Sequence, residues 1–406
     1  MTETAPLSLD EGGCPMRRFP APRTDPLQPP TDYAQLLDSP PVTRTELFDG
    51  SRVWAVSGHA EVRALLADSR LSSDRRRPGF PVFTTSQPPR RTDVPRNMIA
   101  MDPPEHGPAR RAVVGEFTAK RIAALRPWIQ QIVDERIDAL LAAPQPADLV
   151  RLLALPVPSL VICALLGVPY DDHEFFETRS ARFLSAAASR EERAGAVDEL
   201  RDYMHGLVSA KEAAPSDDLI GRQIEAGTGH DDLVELAILL LIAGHETTAN
   251  MIALGTVALL DRPHLLQLVR EQPDRVPDVV EELLRHFTVA ERVTVRVAAE
   301  DIEVAGVRIR AGEGVVLLTD AANHDPDAFP APEELDPDRE EARRHLAFGY
   351  GPHLCLGANL ARAELRIVFT TLFDRVPTLQ VAVPRDELVF RHDSNIYGLE
   401  SLPVRW

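Results

Sequence analysis

The chain has 406 residues, of which 44% are hydrophobic, and its 62 acidic and 44 basic side chains give a net charge of −18. A chain of this length and apolar content can bury a sizeable core, whereas the acidic balance argues against a continuous nucleic-acid groove. The first residues carry neither a basic region nor an apolar run, so we expect no secretory signal, no membrane anchor and a cytoplasmic location.

Residues 1–30 are rich in proline and are predicted to form an extended arm. Residues 31–406 contain no repeat or long linker and are predicted to form one domain, with a helix-rich lobe and a small β-rich lobe. Because helix-period segments dominate, the expected fold class is mainly α with a minor β region. The predicted helices are 59–67, 130–143, 149–166, 173–187, 193–211, 233–260, 279–286 and 358–373. The predicted strands are 292–298, 301–312 with a turn at Ala305 and Gly306, and 315–318.

Two charged pairs have helical spacing. His106 and Arg110 are four residues apart in MDPPEHGPARR, and Glu282 and Arg285 are three apart in EELLRH. Each pair therefore lies on one helix face. His106 and Arg110 could bind a common anion or form surface salt bridges, whereas Glu282 and Arg285 could pair with each other, as on many solvated helices. The spacing alone leaves both interpretations open.

The segment 233–260 is the longest apolar helix and is long enough to span a membrane. However, Glu235, His245, Glu246 and Thr247 would then lie at or near bilayer depth, where ionisable groups are costly. We therefore expect a helix that crosses the protein interior, with its polar centre facing a cavity.

The three cysteines, Cys14, Cys163 and Cys355, share no metal-ligand spacing, and an odd count argues against a disulfide framework. Cys14 lies in the proline-rich arm, and Cys163 lies in an apolar helical run typical of core cysteines. Only Cys355 lies among glycines and aromatic residues, in FGYGPHLCLGANLARAE.

The surroundings of Cys355 suggest a reactive or metal-bound thiolate. Gly349, Gly351 and Gly357 permit left-handed backbone, so the loop can fold tightly beneath the cysteine. A helix predicted to begin at Ala358 would lower the thiol pKa through its N-terminal N–H groups and dipole, and Phe348 would exclude water. Buried filler, catalytic nucleophile and metal ligand all remain possible on these residues alone.

The pattern Phe348-x-x-Gly351-x-His353-x-Cys355-x-Gly357 resembles the haem-binding loop of the cytochrome P450 monooxygenases. The resemblance extends over nearly the whole chain after the arm and is closest to the soluble actinobacterial members. It implies the cytochrome P450 fold, with haem b (iron protoporphyrin IX) between the cysteine loop and the long central helix, and Cys355 as the iron ligand.

The resemblance also assigns roles to the central helix. Ala243 and Gly244 would let the flat macrocycle and dioxygen approach the backbone, while Glu246 and Thr247 would deliver protons. The same residues would otherwise form a kink in which the threonine bonds back to the helix and the glutamate is solvated.

Two further groups of residues follow from the resemblance. Glu282, Arg285 and Arg339 would form a structural network that ties the long loop 323–344 beneath the haem. The haem propionates would be bound by His106, Arg110, Arg296 and His353, with Arg292 as an alternative to Arg296.

The expected activity is hydroxylation or epoxidation of an apolar small molecule such as a macrolide, polyene or sterol-like compound, using dioxygen and electrons from a ferredoxin and its reductase. Alternative outputs are oxidative coupling, peroxide-driven chemistry and nitric oxide reduction, and a non-enzymatic helical binding protein is a further alternative. A docking patch for the electron donor is expected at Arg110, Arg111, Arg343 and Arg344. The expected substrate contacts are mostly apolar: Ile99, Leu240, Ala243, Val289, Ala290, Ile396 and Tyr397.

Overall fold

The fold was analysed in a computed structural model, which describes residues 23–47, 49–82, 97–184, 188–290, 293–392, 394 and 396–406. Within these residues the chain forms helices α1 Thr31–Leu37, α2 His59–Leu66, α3 His106–Val113, α4 Ala119–Ala142, α5 Pro156–Leu166, α6 His173–Leu184, α7 Arg190–Ala213, α8 Leu219–Glu225, α9 His230–Leu260, α10 Pro263–Glu271, α11 Val276–Phe287, α12 Thr319–Ala322 and α13 Ala358–Arg375. The strands are β1 Val42–Glu46, β2 Arg52–Val56, β3 Leu71–Ser72, β4 Ala147–Asp148, β5 Val295–Ala298, β6 Ile302–Val304, β7 Val307–Ile309, β8 Gly314–Leu317, β9 Gln380–Val381 and β10 Pro403–Arg405.

The main core is helical and forms around α9. Residues of α4, α5, α11 and α13 join α9 in one continuous apolar cluster. Helix α9 runs unbroken for 31 residues. It is the one described helix that is long and apolar enough to cross a membrane, but 67% of its most apolar window is buried inside the protein. Its apolar surface is therefore satisfied by neighbouring helices, as the polar residues in its centre predicted.

The strands form a small second region. Five of them pair in the order β1-β2-β8-β5-β3, in which only β2 and β8 are parallel. Central strands β5 and β8 are buried at every position, since helices and loops cover both faces. β6 and β7 form a separate hairpin whose turn uses Ala305 and Gly306, both with positive φ, as the sequence predicted.

The described end of the N-terminal arm packs against the domain. Arg23 forms an ion pair of 2.9 Å with Asp320, and both side chains are almost fully buried. Leu27 is 1% exposed and belongs to the main core, and its carbonyl lies 2.9 Å from His286 Nε2. The division of the chain at residue 30 stays a prediction, but residues 23–30 contribute core contacts.

Several predicted element bounds differ from the observed ones. Helix α4 begins at Ala119 rather than residue 130, because Pro127 is accommodated inside the helix. The predicted helix 149–166 is instead a π-helical turn, Val150–Ala154, followed by α5. Strands β1 and β2 were not predicted, because their short alternating segments gain their stability from pairing with β8.

Candidate active site

The cysteine loop is held in place by backbone geometry. Gly349 and Gly351 have φ values of +70° and +72°, where side chains are strained. A Cβ at Gly351 would lie 2.8 Å from the carbonyl oxygen of Leu66 at the end of α2, so only glycine fits there. The N–H of Cys355 donates to the carbonyl of Phe348 at 2.8 Å, which closes the loop on itself.

Gly357 differs from the other two loop glycines. Its φ is −81° and its ψ is 6°, so it does not use the left-handed backbone that glycine permits. A Cβ there would meet no protein atom within 4 Å. The residues of the loop therefore do not themselves require glycine at this position, and the space beside it is open to another group.

The pKa of Cys355 is shifted upward, opposite to the direction predicted from the sequence. Enclosure by protein raises the pKa of the thiol above its usual value, although the Gly357 N–H and the charges of Arg110 and Arg362 oppose the rise. The sulfur still has accessible surface, because Cys355 lines an open concavity rather than a packed core. The helix N-terminus alone thus does not stabilise the thiolate, and a bound cation would be needed to do so.

Three of the four predicted propionate ligands gather beside this loop. The rings of His106 and His353 lie 4.1 Å apart, and burial lowers the pKa of both, that of His353 to about 3 with Arg296 contributing. His106 Nε2 is buried and has no hydrogen-bond partner among the described residues. Arg296 is 8% exposed and donates to the carbonyl of Val295, and burial lowers its pKa to about 10.

Arg110 lies at the edge of the same cluster. Its guanidinium donates to the carbonyl of Leu354 at 2.6 Å, next to Cys355. Arg292, the alternative to Arg296, lies outside the described residues. The cluster thus combines the positive charges of Arg110 and Arg296 with the imidazoles of His106 and His353, which their lowered pKa values leave neutral, and a bound anionic group would stabilise it.

In the middle of α9, the accessible residues are those predicted to face a ligand. Ala243 is exposed and Gly244 and Thr247 are half-buried, although the helix around them is core. A Cβ at Gly244 would make only ordinary contact with Ile162, at 3.5 Å, so packing within the protein does not require glycine. The Thr247 hydroxyl donates to the carbonyl of Ala243 at 3.0 Å.

Glu246 has a partner that the sequence did not reveal. It is fully buried, and Arg391 of the C-terminal loop lies 3.1 Å from its Oε2. Burial raises the pKa of Glu246, while the charge and hydrogen bond of Arg391 oppose the rise. Glu246 Oε1 has no partner among the described residues, so the carboxyl can hold a proton on that oxygen.

The predicted network of Glu282, Arg285 and Arg339 is formed and buried. Arg285 makes two bonds of 2.8 Å to the carboxylate of Glu282, and Arg339 adds a third of 3.0 Å. Burial opposes the charge of Glu282, but these bonds and the N–H of Asp336 lower its pKa overall. Asn323 extends the network, since its carbonyl accepts from Arg285 and its side chain accepts from the N–H of Leu346 before the cysteine loop.

A neighbouring network was missed by sequence reasoning. Glu281 accepts from Arg362 at 2.7 Å and lies 3.2 Å from His345 Nε2. Although burial acts against it, these partners lower the pKa of Glu281 to about 2. It connects α11 to α13 and to the residues before the loop. The adjacent glutamates gave no signal that both would be buried.

The predicted substrate contacts divide by accessibility. Ile99 is 41% exposed and Ala290 is half-buried, so both present surface to a ligand. Leu240, Val289 and Ile396 are each 7% exposed. Tyr397 is 4% exposed, and it anchors the N-terminal segment, since Arg23 lies 4.2 Å over its ring and its hydroxyl donates to the carbonyl of Pro26. Its contact with a substrate stays a prediction.

The family model described as cytochrome P450 matches residues 189–377. Pentalenic acid synthase of Streptomyces avermitilis is 50% identical over 393 residues, which cover 96% of this chain and 97% of that protein. The chain is a cytochrome P450 monooxygenase. The crystal structure of cytochrome P450 MoxA from Nonomuraea recticatena, 52% identical, has a TM-score of 0.90 and covers 96% of this chain and 98% of its own. The same TM-score is found for MycCI of Micromonospora griseorubida, a mycinamicin VIII C21 methyl hydroxylase solved with mycinamicin VIII. It is 40% identical, and the match covers 96% of this chain and 100% of that one.

The predicted family, fold class and haem cofactor of this cytochrome P450 are therefore confirmed. Its residues fit that group: an exposed cysteine, open space beside Gly357, and the cations Arg110 and Arg296 beside the unpartnered, buried Nε2 of His106. The thiolate would hold the iron and the cations would hold the carboxylates of the macrocycle.

This P450 has a concavity of about 890 Å³ beside the cysteine loop, and no residue of α9 lines it. Its described lining contains five arginines and no acidic residue: Arg63, Arg110, Arg343, Arg344 and Arg362. Three of the four arginines predicted as a docking patch are present, and Arg111 is not among the lining residues. Arg63 and Arg362 come from α2 and α13, which the linear sequence gave no reason to associate.

Proposed function

We propose that this cytochrome P450 is a cytoplasmic haem-thiolate enzyme that hydroxylates or epoxidises an apolar natural product, and that Cys355 would hold the haem iron. One observation supports this more than any other: the exposed Cys355 lies next to the buried cation Arg296 and to His106 and His353, whose lowered pKa values leave them as neutral hydrogen-bonding groups. When bound, haem supplies the activation of dioxygen, and the thiolate favours O–O cleavage.

Within this proposal, Thr247 and Glu246 deliver protons to the dioxygen site at the accessible face of α9. Thr247 must give up its bond to the Ala243 carbonyl to donate outward. Glu246 holds a proton more readily than an exposed carboxyl because burial raises its pKa, and Arg391 keeps the side chain in one orientation. Both groups are thus suited to general acid catalysis.

The test of proton delivery is Thr247→Ala, with Thr256→Ala as a control. Thr256 lies on the same helix and also donates to the carbonyl four residues before it, but it is fully buried. Product formed per electron pair should fall about tenfold in Thr247→Ala, less than the full effect of a general acid because water can substitute. Hydrogen peroxide should account for the difference. Unchanged coupling in Thr247→Ala would contradict the assignment.

The substrate is expected to be an apolar natural product of the macrolide, polyene or sterol-like classes. The accessible surfaces of Ile99, Ala243 and Ala290 are apolar, and MycCI is a hydroxylase solved with mycinamicin VIII. Compounds of these classes should be screened for conversion of the haem from low to high spin. Turnover of a hit under labelled dioxygen should place one labelled atom in the product. Oxidative coupling or peroxide-driven chemistry would leave the product unlabelled.

A ferredoxin is proposed to dock on the arginine-lined concavity beside Cys355. Arg362 pairs with Glu281 and Arg343 with Asp278, but no acidic residue lies in the described lining itself. Its five arginines complement the acidic surface typical of such donors, and charge of this kind mainly accelerates association. In Arg344→Glu, an exposed position, the KM for ferredoxin should rise several-fold at low salt and less at high salt. Arg52→Glu makes the same charge change on β2, outside the concavity, and should leave the KM unchanged. Equal effects of the two variants would refute this docking site.

A further inference from the structure

A cluster of potential metal ligands joins two helices far from the haem site. His205 lies on α7, and His230 and Asp231 are the first two residues of α9. One ligand atom from each of these three side chains lies within 4.8 Å of the other two. His230 precedes Thr247 by about 25 Å of helix, at 1.5 Å per residue, so the cluster belongs to neither the haem site nor the proton route.

The local sequence explains why the ligands meet. His205 and Glu212 are seven residues apart on α7, which is close to two turns, so they lie on one face of that helix. His230 lies opposite this face: its Nε2 is 3.0 Å from His205 Nδ1, and its Nδ1 is 3.1 Å from a carboxylate oxygen of Glu212. His205 and His230 are both half-buried, whereas Asp231 is exposed.

Glu212 determines which ring nitrogen of His230 is free to bind a metal ion. A carboxylate only accepts hydrogen bonds, so neutral His230 carries its proton on Nδ1 and presents a lone pair on Nε2 toward His205. Histidines that bind metals commonly donate their other ring N–H to a carboxylate in this way, which fixes the tautomer and the orientation of the ring. The pair Glu212 and His230 has this arrangement before any ion binds.

The two imidazole nitrogens are already close to the separation found in a metal site, and the Asp231 carboxylate, within 4.8 Å of both histidines, would have to move closer. Two ligands bound tetrahedrally at about 2.1 Å from one ion lie roughly 3.4 Å apart, compared with 3.0 Å between His205 Nδ1 and His230 Nε2. Small rotations of two partly accessible side chains would provide the difference. His205 would have to move its proton from Nδ1 to Nε2, and water would complete the coordination.

We propose that His205, His230 and Asp231 bind a divalent transition-metal ion such as Zn²⁺, with Glu212 as the positioning residue for His230. Two imidazoles and one carboxylate suit zinc, nickel or copper and do not suit the oxygen-preferring Mg²⁺. Because the ligands come from α7 and α9, the bound ion links these helices and stabilises the folded protein by an amount that grows with the logarithm of its concentration.

The test is titration of the untagged, haem-loaded enzyme with Zn²⁺ by isothermal calorimetry, after treatment with a chelator. One ion per chain should bind, and the same Zn²⁺ should raise the Tm, while Mg²⁺ should do neither. His205→Gln and His230→Asn should abolish this binding, and Glu212→Gln should weaken it by about 10- to 100-fold. An unchanged Soret band in each variant shows that the fold is intact.

Two matched controls make the result specific. Asp231→Asn should weaken Zn²⁺ binding, whereas Asp232→Asn makes the same charge change on the next residue, outside the cluster, and should not. His264→Ala removes an exposed histidine elsewhere and should also have no effect. The absence of saturable Zn²⁺ binding, or wild-type binding by His205→Gln or His230→Asn, would overturn the proposal and leave only a hydrogen bond between the two imidazoles.

Discussion

The cysteine side and the substrate side of this cytochrome P450 differ in what fixes their residues. Around Cys355, left-handed glycines and two buried ionic networks determine the backbone without help from a ligand. On the proposed substrate side, Ile99 is 41% exposed, and Ala290 is half-buried at the margin of the main apolar core. The comparison teaches that the protein itself builds the part that holds the haem, while the part that meets the substrate is left accessible for it.

Breaking the network of Glu282 should produce the largest effect. Glu282→Gln leaves Arg285 and Arg339 buried without their counter-charge, which costs about 3–5 kcal/mol of unfolding free energy. Haem should be lost on purification, as measured by Soret absorbance per protein. Glu340→Gln changes an exposed glutamate of the same loop and should retain haem. Full haem occupancy in Glu282→Gln would show that the network does not hold this side of the site.

The pH dependence of stability should reveal the second network. The pKa of Glu281 is about 2 when folded, against an ordinary value of 4.5. Because the folded value is the lower one, its contribution is complete above about pH 4.5 and is lost as the pH falls toward 2. The shift corresponds to about 3 kcal/mol. Glu281→Gln should be less stable at neutral pH and lose less stability across this acid range, as followed by urea unfolding. Parallel curves for the two proteins would contradict the role of Glu281.

Substitution of two loop glycines should distinguish a glycine that the protein's own packing requires from one that the haem requires. Gly351→Ala forces a side chain into left-handed backbone and against Leu66, which costs about 1–2 kcal/mol for the conformation alone. It should lower both haem occupancy and the helical stability measured by circular dichroism. Gly357→Ala meets no protein atom, so it should lower haem occupancy while leaving the haem-free protein unchanged. Identical behaviour of the two variants would remove this distinction.

The smallest effect on stability is expected on the substrate side. Ile99→Ala should change the unfolding free energy by about 0.5 kcal/mol or less, because the side chain is exposed. The affinity for a spectrally identified substrate should fall by up to about tenfold through lost apolar contact. Ile137→Ala, in the fully buried core, should cost about 2–5 kcal/mol and leave that affinity unchanged. A large stability loss in Ile99→Ala would show that this side is also fixed by the protein.

The sequence could predict site residues that lie in short motifs, but not those that the fold brings together from distant segments. Cys355, the glycine at 351 and the network of Glu282, Arg285 and Arg339 form motifs with short or characteristic spacing, so the resemblance located them. Arg391 beside Glu246, and Arg63 and Arg362 in the concavity, come from distant segments that only the fold brings together. The pKa of Cys355 was predicted in the wrong direction, because helix dipoles can be inferred from sequence whereas desolvation depends on the surrounding fold.

The central claim is the bond between the Cys355 sulfur and the haem iron, and the carbon monoxide difference spectrum of the reduced protein tests it most directly. We predict the red-shifted Soret band of a thiolate ligand in the wild type and its complete loss in Cys355→Ser, with Cys163→Ser keeping the band. A wild-type protein without that band, or a Cys355→Ser variant that retains it, would contradict the assignment.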